Sequence, residues 1–168
     1  MITLATAECF THGKIGLSIH KAASGYEEFE YKYLFSEEDL KIVKNVKVLC
    51  SMFLPSIYAI EKLFNISLPK PDYYYKYAKA YSEKNDLAVA KKIAESLKDK
   101  LNPDIALAST AGVGRGAICI IADKCYLFTT DVYANLLTFE NVKERQKDGI
   151  EKGIKKVLEI VKKCLEKY

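Results

Sequence analysis

Two short apolar runs, Ile2–Ala7 and Asp104–Ser109, each break off into sequence of a different kind: polar residues Glu8–Gly13 after the first, and the glycine-rich Thr110–Gly116 after the second. Runs of this length, made of β-branched and small apolar residues without polar alternation, suit buried strands, which need cover from helices. The rest of the chain must therefore supply helical layers. The abrupt end of the first run places Cys9 to Gly13 in a loop that opens a helix.

The segments between the runs fit this demand. Ile15, Ile19 and Ala22 recur at helical spacing from about Lys14 to Ala23, with Ser24-Gly25 as a stop. Glu28–Phe35 alternates polar with aromatic residues and predicts a half-exposed edge strand carrying Phe29, Tyr31, Tyr33 and Phe35 on one face. Ser36 followed by Glu37, Glu38 and Asp39 predicts a capped helix to about Lys44, and Val46–Ser51 reads equally as strand or helix. Pro55 opens a helix to about Asn65, and Pro69–Asp72 breaks the pattern. The tyrosine-rich run Tyr73, Tyr74, Tyr75, Tyr77, Tyr81 is expected to begin a helix. Asp86–Leu101 is amphipathic, and Pro103 ends it. Ala117–Ala122 and Cys125–Thr130, joined at Asp123-Lys124, predict a hairpin, and a long lysine-rich amphipathic helix closes the chain from about Val142 to Glu166. Strands separated by helices plus one hairpin describe an α/β fold, a three-layer-type sandwich with a mixed β-sheet. With 168 residues the expectation is a single α/β domain over 1–168.

Charge and cysteine usage narrow the function. The formal net charge of +4 is carried almost wholly by dispersed lysines, since Arg115 and Arg145 are the only arginines, which argues against a nucleic-acid partner. Five widely spaced cysteines without a CxxC argue against a disulfide framework and for a reducing, cytoplasmic location. No apolar run approaches bilayer length, so no membrane partner is expected.

The chemistry centres on Cys9. A thiol between a first strand and a first helix meets the unpaired helical N–H groups, which would lower its pKa and make it a nucleophile. The plainer alternative is a small buried hydrophobe, although Glu8, Thr11 and His12 are unusual company for a core. His12, three residues on, could take the thiol proton, or could simply be a surface or capping histidine. The glycine loop, Thr110, Gly112, Gly114 and Arg115 in particular, could cradle a phosphate with backbone N–H groups and one guanidinium, or could be a tight turn; it is neither a Walker A sequence nor a dinucleotide fingerprint. Cys9 with His12 gives only two metal ligands, so no metal is expected. Loops that follow strands gather at one edge of such a sheet, so the two loops are expected to share a pocket. Tyrosines 73–81 could stack on a planar ring or cap the core.

At Ala7-Glu8-Cys9-Phe10-Thr11-His12-Gly13 the chain resembles the HcgF family of methanogenic archaea, and the likeness runs over its whole length. That family acts in biosynthesis of the iron-guanylylpyridinol (FeGP) cofactor of the mononuclear iron hydrogenase. A more distant resemblance is to the CinA C-terminal domain and its nicotinamide mononucleotide deamidases, whose two loops read roughly AESCTGG and TGIAGPGGG. Cys9 stands where that family has serine, His12-Gly13 replace two glycines, and Ser109–Gly116 lacks the proline and adds Arg115. The HcgF resemblance implies guanylylpyridinol as ligand, supplied adenylylated by a partner enzyme, HcgE, and captured as a thioester on Cys9 with release of AMP. It further implies oxyanion donors from the N–H groups after Cys9, the guanylyl phosphate at Gly112 to Arg115, binding roles for Glu8, Thr11 and Gly13, and no tightly bound cofactor. The CinA resemblance implies a CinA-like fold, a homodimer and, as an alternative activity, amide hydrolysis on a pyridine nucleotide. A non-catalytic guanylylpyridinol carrier is the remaining alternative.

Overall fold

The computed structural model describes residues 1–75 and 78–167. Its main sheet has the order β2-β1-β5-β6-β7, built from β1 (Ile2–Glu8), β2 (Val46–Phe53), β5 (Ile105–Thr110), β6 (Val113–Ile121) and β7 (Cys125–Asn135). β1 runs parallel to both β2 and β5, while β6 and β7 continue antiparallel, so the sheet is mixed as expected. A separate two-stranded ribbon pairs β3 (Tyr73–Tyr75) with β4 (Ala78–Ala80). The helices are α1 (Lys14–Ala23), α2 (Glu37–Ile42), α3 (Ile57–Phe64), α4 (Glu83–Leu101) and α5 (Val142–Leu165).

The period-two alternation of the central strands sorts side chains between two cores. Ile2, Leu4, Ile105, Leu107, Ile118 and Ile120 face α1 and α5, whose Ile15, Ile19, Ile150, Ile154 and Val157 meet them. Ala5, Ala7, Ala106, Ala108, Ala117 and Cys119 face α4, where Val89, Ala90, Ile93, Ala94 and Leu97 pack. Large branched residues fill the space under two helices, whereas a nearly all-alanine face lets one helix lie close. Helix, sheet and helix thus form three layers.

Three expectations are corrected. Glu28–Phe35 is not an edge strand: it holds only a 3₁₀ turn at Lys32–Leu34, and the chain folds back so that the Phe29 and Phe35 rings meet edge to face at 5.5 Å. Burying Tyr31 and Phe35 in this way satisfies the aromatic alternation without a strand partner. The tyrosine run forms the β3–β4 ribbon instead of a helix, in keeping with the strand preference of tyrosine; Tyr77 lies outside the described residues. Asp72 before it accepts hydrogen bonds from the Ser82 N–H (2.8 Å) and the Asn85 side chain, which fixes the start of α4. The expected loop Thr110–Gly116 is mostly strand: β5 runs to Thr110 and β6 begins at Val113, which leaves only a turn at Ala111-Gly112. Val46–Ser51 resolves as strand β2.

Candidate functional site

Strand alternation continues past the end of β1 and sends its last side chains to opposite sides. Glu8, fully buried, turns toward α1 and accepts from the N–H groups of Ile15 (3.1 Å) and Gly16 (2.9 Å) and from the Thr11 hydroxyl (2.6 Å). Burial pushes its carboxyl up, against the opposing pull of those hydrogen bonds. The Lys14 N–H is taken by the Thr11 carbonyl at 2.9 Å. The first turn of α1 is therefore answered from within the chain, by a carboxylate placed where the helix dipole favours one.

Cys9 goes the other way. Its N–H is held by the Ser109 carbonyl (2.9 Å) and hydroxyl (3.2 Å), which pins it against the end of β5. It lines two spaces at once: an outer cleft of about 450 Å³ and a smaller, less open inner cavity of about 50 Å³. Burial, then the charge of Asp86, push the thiol up to about 12, with Arg145 pulling the other way. The depressed pKa expected from a helix start is thus not found: α1 begins five residues later, and Glu8 already occupies its N-terminus.

The outer cleft also takes in His12, Phe53, Phe139, Lys143, Arg145 and Gln146. His12 sits in the left-handed region (φ 54°) with its ring 4.7 Å from that of Phe53, and its N–H is turned back onto the Cys9 carbonyl at 3.0 Å. Desolvation, followed by the charge of Lys14, lowers its pKa and so favours the neutral ring. The sheet edge thus brings Cys9 and His12 to one cleft.

Asp86 and Thr110 line the inner cavity with Cys9. The Asp86 carboxylate accepts from the Gly112 N–H (2.7 Å) and the Thr110 hydroxyl (3.1 Å), yet burial still raises its pKa to about 7. Arg145 extends from α5 into the wall of the outer cleft, 1% exposed, with Nη1 donating to the carbonyl oxygens of Gly112 and Gly114, both at 2.8 Å.

The glycine-rich segment Gly112–Gly116 does not form a phosphate cradle. Its N–H groups are already engaged: Gly112 with Asp86, Val113 with the Tyr81 carbonyl, Arg115 with Glu83, and Gly116 with the Thr130 hydroxyl. Its glycines instead permit close approach. A Cβ on Gly112 would fall 2.5 Å from the Tyr81 carbonyl oxygen, and one on Gly116 would fall 2.5 Å from Phe10. Arg115 is exposed and paired with Glu83 at 3.0 Å, so it does not reach the cleft. Glu8 and Thr11 are likewise turned inward, Thr11 bonding Ser109 at 2.7 Å, and Gly13 supplies the left-handed residue (φ 75°) before α1. The arginine that lines the cleft is Arg145. It falls four and eight residues before Gly149 and Gly153 on the buried stripe of α5, which is the one signal that could have distinguished it from the surface lysines. Asp86 stands in the same way three and four residues before buried Val89 and Ala90.

Among solved structures the fold is similar to that of a competence-damaged protein (CinA) superfamily protein from Enterobacter cloacae. The match has a TM-score of 0.57 at 14% identity, covering 95% of this chain and 82% of that one. In sequence, a UPF0254 protein of Methanocaldococcus jannaschii is 71% identical over 97% of this chain and 98% of its own length. Another UPF0254 protein, from Methanopyrus kandleri, is 40% identical over 92% of this chain and 85% of its own length. Residues 1–161 match the family described as FeGP cofactor biosynthesis protein HcgF. The chain belongs to the HcgF family.

Proposed function

We propose that the protein captures the pyridinol moiety of the growing FeGP cofactor as a thioester on Cys9, in the cytoplasm. The Cys9 thiolate attacks the adenylylated carboxyl group of guanylylpyridinol; the sulfur–carbon bond forms, the bond between the acyl carbon and the phosphate oxygen breaks, and AMP leaves with the electron pair. The observation that carries this reading is the place of Cys9: a partly exposed residue that lines a cleft of about 450 Å³, a size suited to a small-molecule ligand, in a chain of the HcgF family.

A thiol whose pKa stands at about 12 needs help to ionise. His12 in the outer cleft serves as the proton acceptor, and the positive charge of Arg145 favours the thiolate once ligand excludes water. The N–H groups of Phe10 and Thr11, directly after the nucleophile, supply the oxyanion donors. HcgE supplies the adenylylated ligand. The exposed apolar residues Leu49 and Phe53 on edge strand β2 support a homodimer, which light scattering at micromolar concentration would test.

Incubation of the full chain with adenylylated guanylylpyridinol, followed by intact mass measurement, tests the chemistry. A hydroxylamine-labile adduct on the native chain and none on Cys9→Ser is the expected result. An adduct on the Cys9→Ser chain, none on the native chain, or ammonia release from nicotinamide mononucleotide in its place would end this reading.

A further inference from the structure

Half of the Arg145 guanidinium is committed to the fold and half is not. Nη1 donates to the carbonyl oxygens of Gly112 (2.8 Å), Gly114 (2.8 Å) and Ala134 (3.3 Å), which anchors the group between the start of β6 and the end of β7. Nε is the one buried side-chain nitrogen or oxygen among the described residues with no hydrogen-bond partner. Nη2 makes none of the hydrogen bonds of the described residues, and no carboxylate among them lies within ion-pair distance of Arg145. A buried cation in this condition is costly, because its charge has been taken out of water with no carboxylate in ion-pair contact, the charge of Asp86 acting on it only from a distance. The Nε–H and Nη2–H bonds run parallel along one side of the guanidinium plane, the edge that grips a carboxylate or phosphate through two oxygens. The plane is held by what surrounds it: the Phe10 ring centre lies 5.8 Å from Cζ, and Phe10 is itself wedged between Gly116 and Gly149. The same residue lines the cleft that holds Cys9.

We propose that the Nε/Nη2 edge of Arg145 is an oxoanion subsite beside Cys9, taking the anionic head of the acyl donor. That head is either the phosphoryl group of an acyl phosphate or the carboxylate from which it is made. The subsite rests on the thioester reading for its role. As the acyl carbon–oxygen bond breaks, negative charge develops on the departing phosphate, and a preorganised guanidinium there stabilises the transition state more than the ground state. Arg115 cannot substitute, because its Nε and Nη2 already meet the two oxygens of Glu83.

Alkylation of the full chain tests the subsite without the natural ligand. Iodoacetate and iodoacetamide react identically, the thiolate sulfur displacing iodide, but only iodoacetate carries a carboxylate. Quantifying each product peptide by mass spectrometry gives the ratio of the two rates at Cys9, with exposed Cys125 of the same molecule as reference. The iodoacetate-to-iodoacetamide ratio at Cys9 is expected to exceed that at Cys125 by about tenfold, the worth of a charge-assisted bidentate contact. It should fall to the Cys125 value in Arg145→Gln and hold an intermediate value in Arg145→Lys, which keeps the charge and loses the fork. Equal ratios at Cys9 and Cys125 in the unaltered chain overturn the proposal, whatever the variants do. Adding acetate or inorganic phosphate to the unaltered chain then identifies the head: stronger protection of Cys9 from iodoacetate by phosphate assigns the phosphoryl group, stronger protection by acetate assigns the carboxylate, and protection by neither again overturns the subsite. A raised ratio in a chain that forms no adduct with adenylylated guanylylpyridinol would remove the thioester reading and leave the subsite standing.

Discussion

The loop after β1 and the turn after β5 lie side by side at one edge of the sheet, and they differ in what they leave free. In the first, Glu8, Thr11 and the N–H of Cys9 hold the structure together, while the Cys9 thiol and the His12 ring open onto the cleft. In the second, the N–H groups of Gly112, Val113, Arg115 and Gly116 and the Arg115 guanidinium are all engaged within the protein. Glycine-rich sequence after a strand is therefore no guide to an anion site until the partners of its N–H groups are known. Here the glycines serve close packing, and the free cation comes from a helix 29 or more residues further on.

The sharpest way to break this contrast is to compare adduct formation in Cys9→Ala and Arg115→Ala. The first should lose covalent capture completely, and the second should retain it within about twofold, as befits an exposed ion pair; intact mass after a fixed incubation reads both. Equal losses would return Arg115 to the site.

Stability gives the next largest effects. Glu8→Ala removes the acceptor of two helical N–H groups and the Thr11 hydroxyl and should cost about 3 kcal/mol in urea denaturation. Gly112→Ala forces a Cβ against the Tyr81 backbone, which cannot rotate away, and should cost about 1–3 kcal/mol in urea denaturation. A Gly112→Ala chain as stable as the parent would mean that the turn is loose enough to bind something after all.

Asp86 yields a pH-dependent prediction. Its carboxyl is raised from 3.8 to about 7 in the folded chain, so the folded state binds the proton more tightly than the unfolded state does. The resulting stability is fully present below about pH 4 and is lost as pH rises through about 7. Asp86→Asn should flatten this component, on the order of a few kcal/mol, in denaturation series from pH 5 to 8. The smallest effect is kinetic. Alkylation of Cys9 should rise steadily with pH from 6 to 9 without a plateau, and Asp86→Asn, by removing a negative charge near the thiol, should speed it by up to about tenfold at pH 8. A plateau near neutral pH would show the thiol to be activated by its position.

Much of this architecture was legible in advance because burial imposes periodicity. The apolar runs at Ile2 and Asp104, the hairpin about Asp123-Lys124 and the stripe of α4 all follow from which residues must avoid water. What escaped sequence reasoning depends on partners distant in the chain. Glu28–Phe35 carries a strand pattern, but Phe29 and Phe35 bury against each other and need no strand beside them. The pocket shared by the two strand ends follows from topology, yet its charged groups do not. Asp86 and Arg145 each occupy a buried position on an otherwise ordinary amphipathic helix, where one charged residue amid many gives little sign of facing inward. The expected activation of Cys9 failed for a similar reason: Glu8, its immediate neighbour, answers the helix first.

That neighbour has a consequence for how the protein behaves between encounters with its ligand. With the helix terminus occupied by Glu8 and the thiol pushed up to about 12 by burial and Asp86, the protonated form predominates at pH 7. A buried, protonated thiol of this kind is a poor target for stray electrophiles and oxidants. Glu8 thus takes the helix terminus that would otherwise activate Cys9, and burial with Asp86 keeps the thiol at rest.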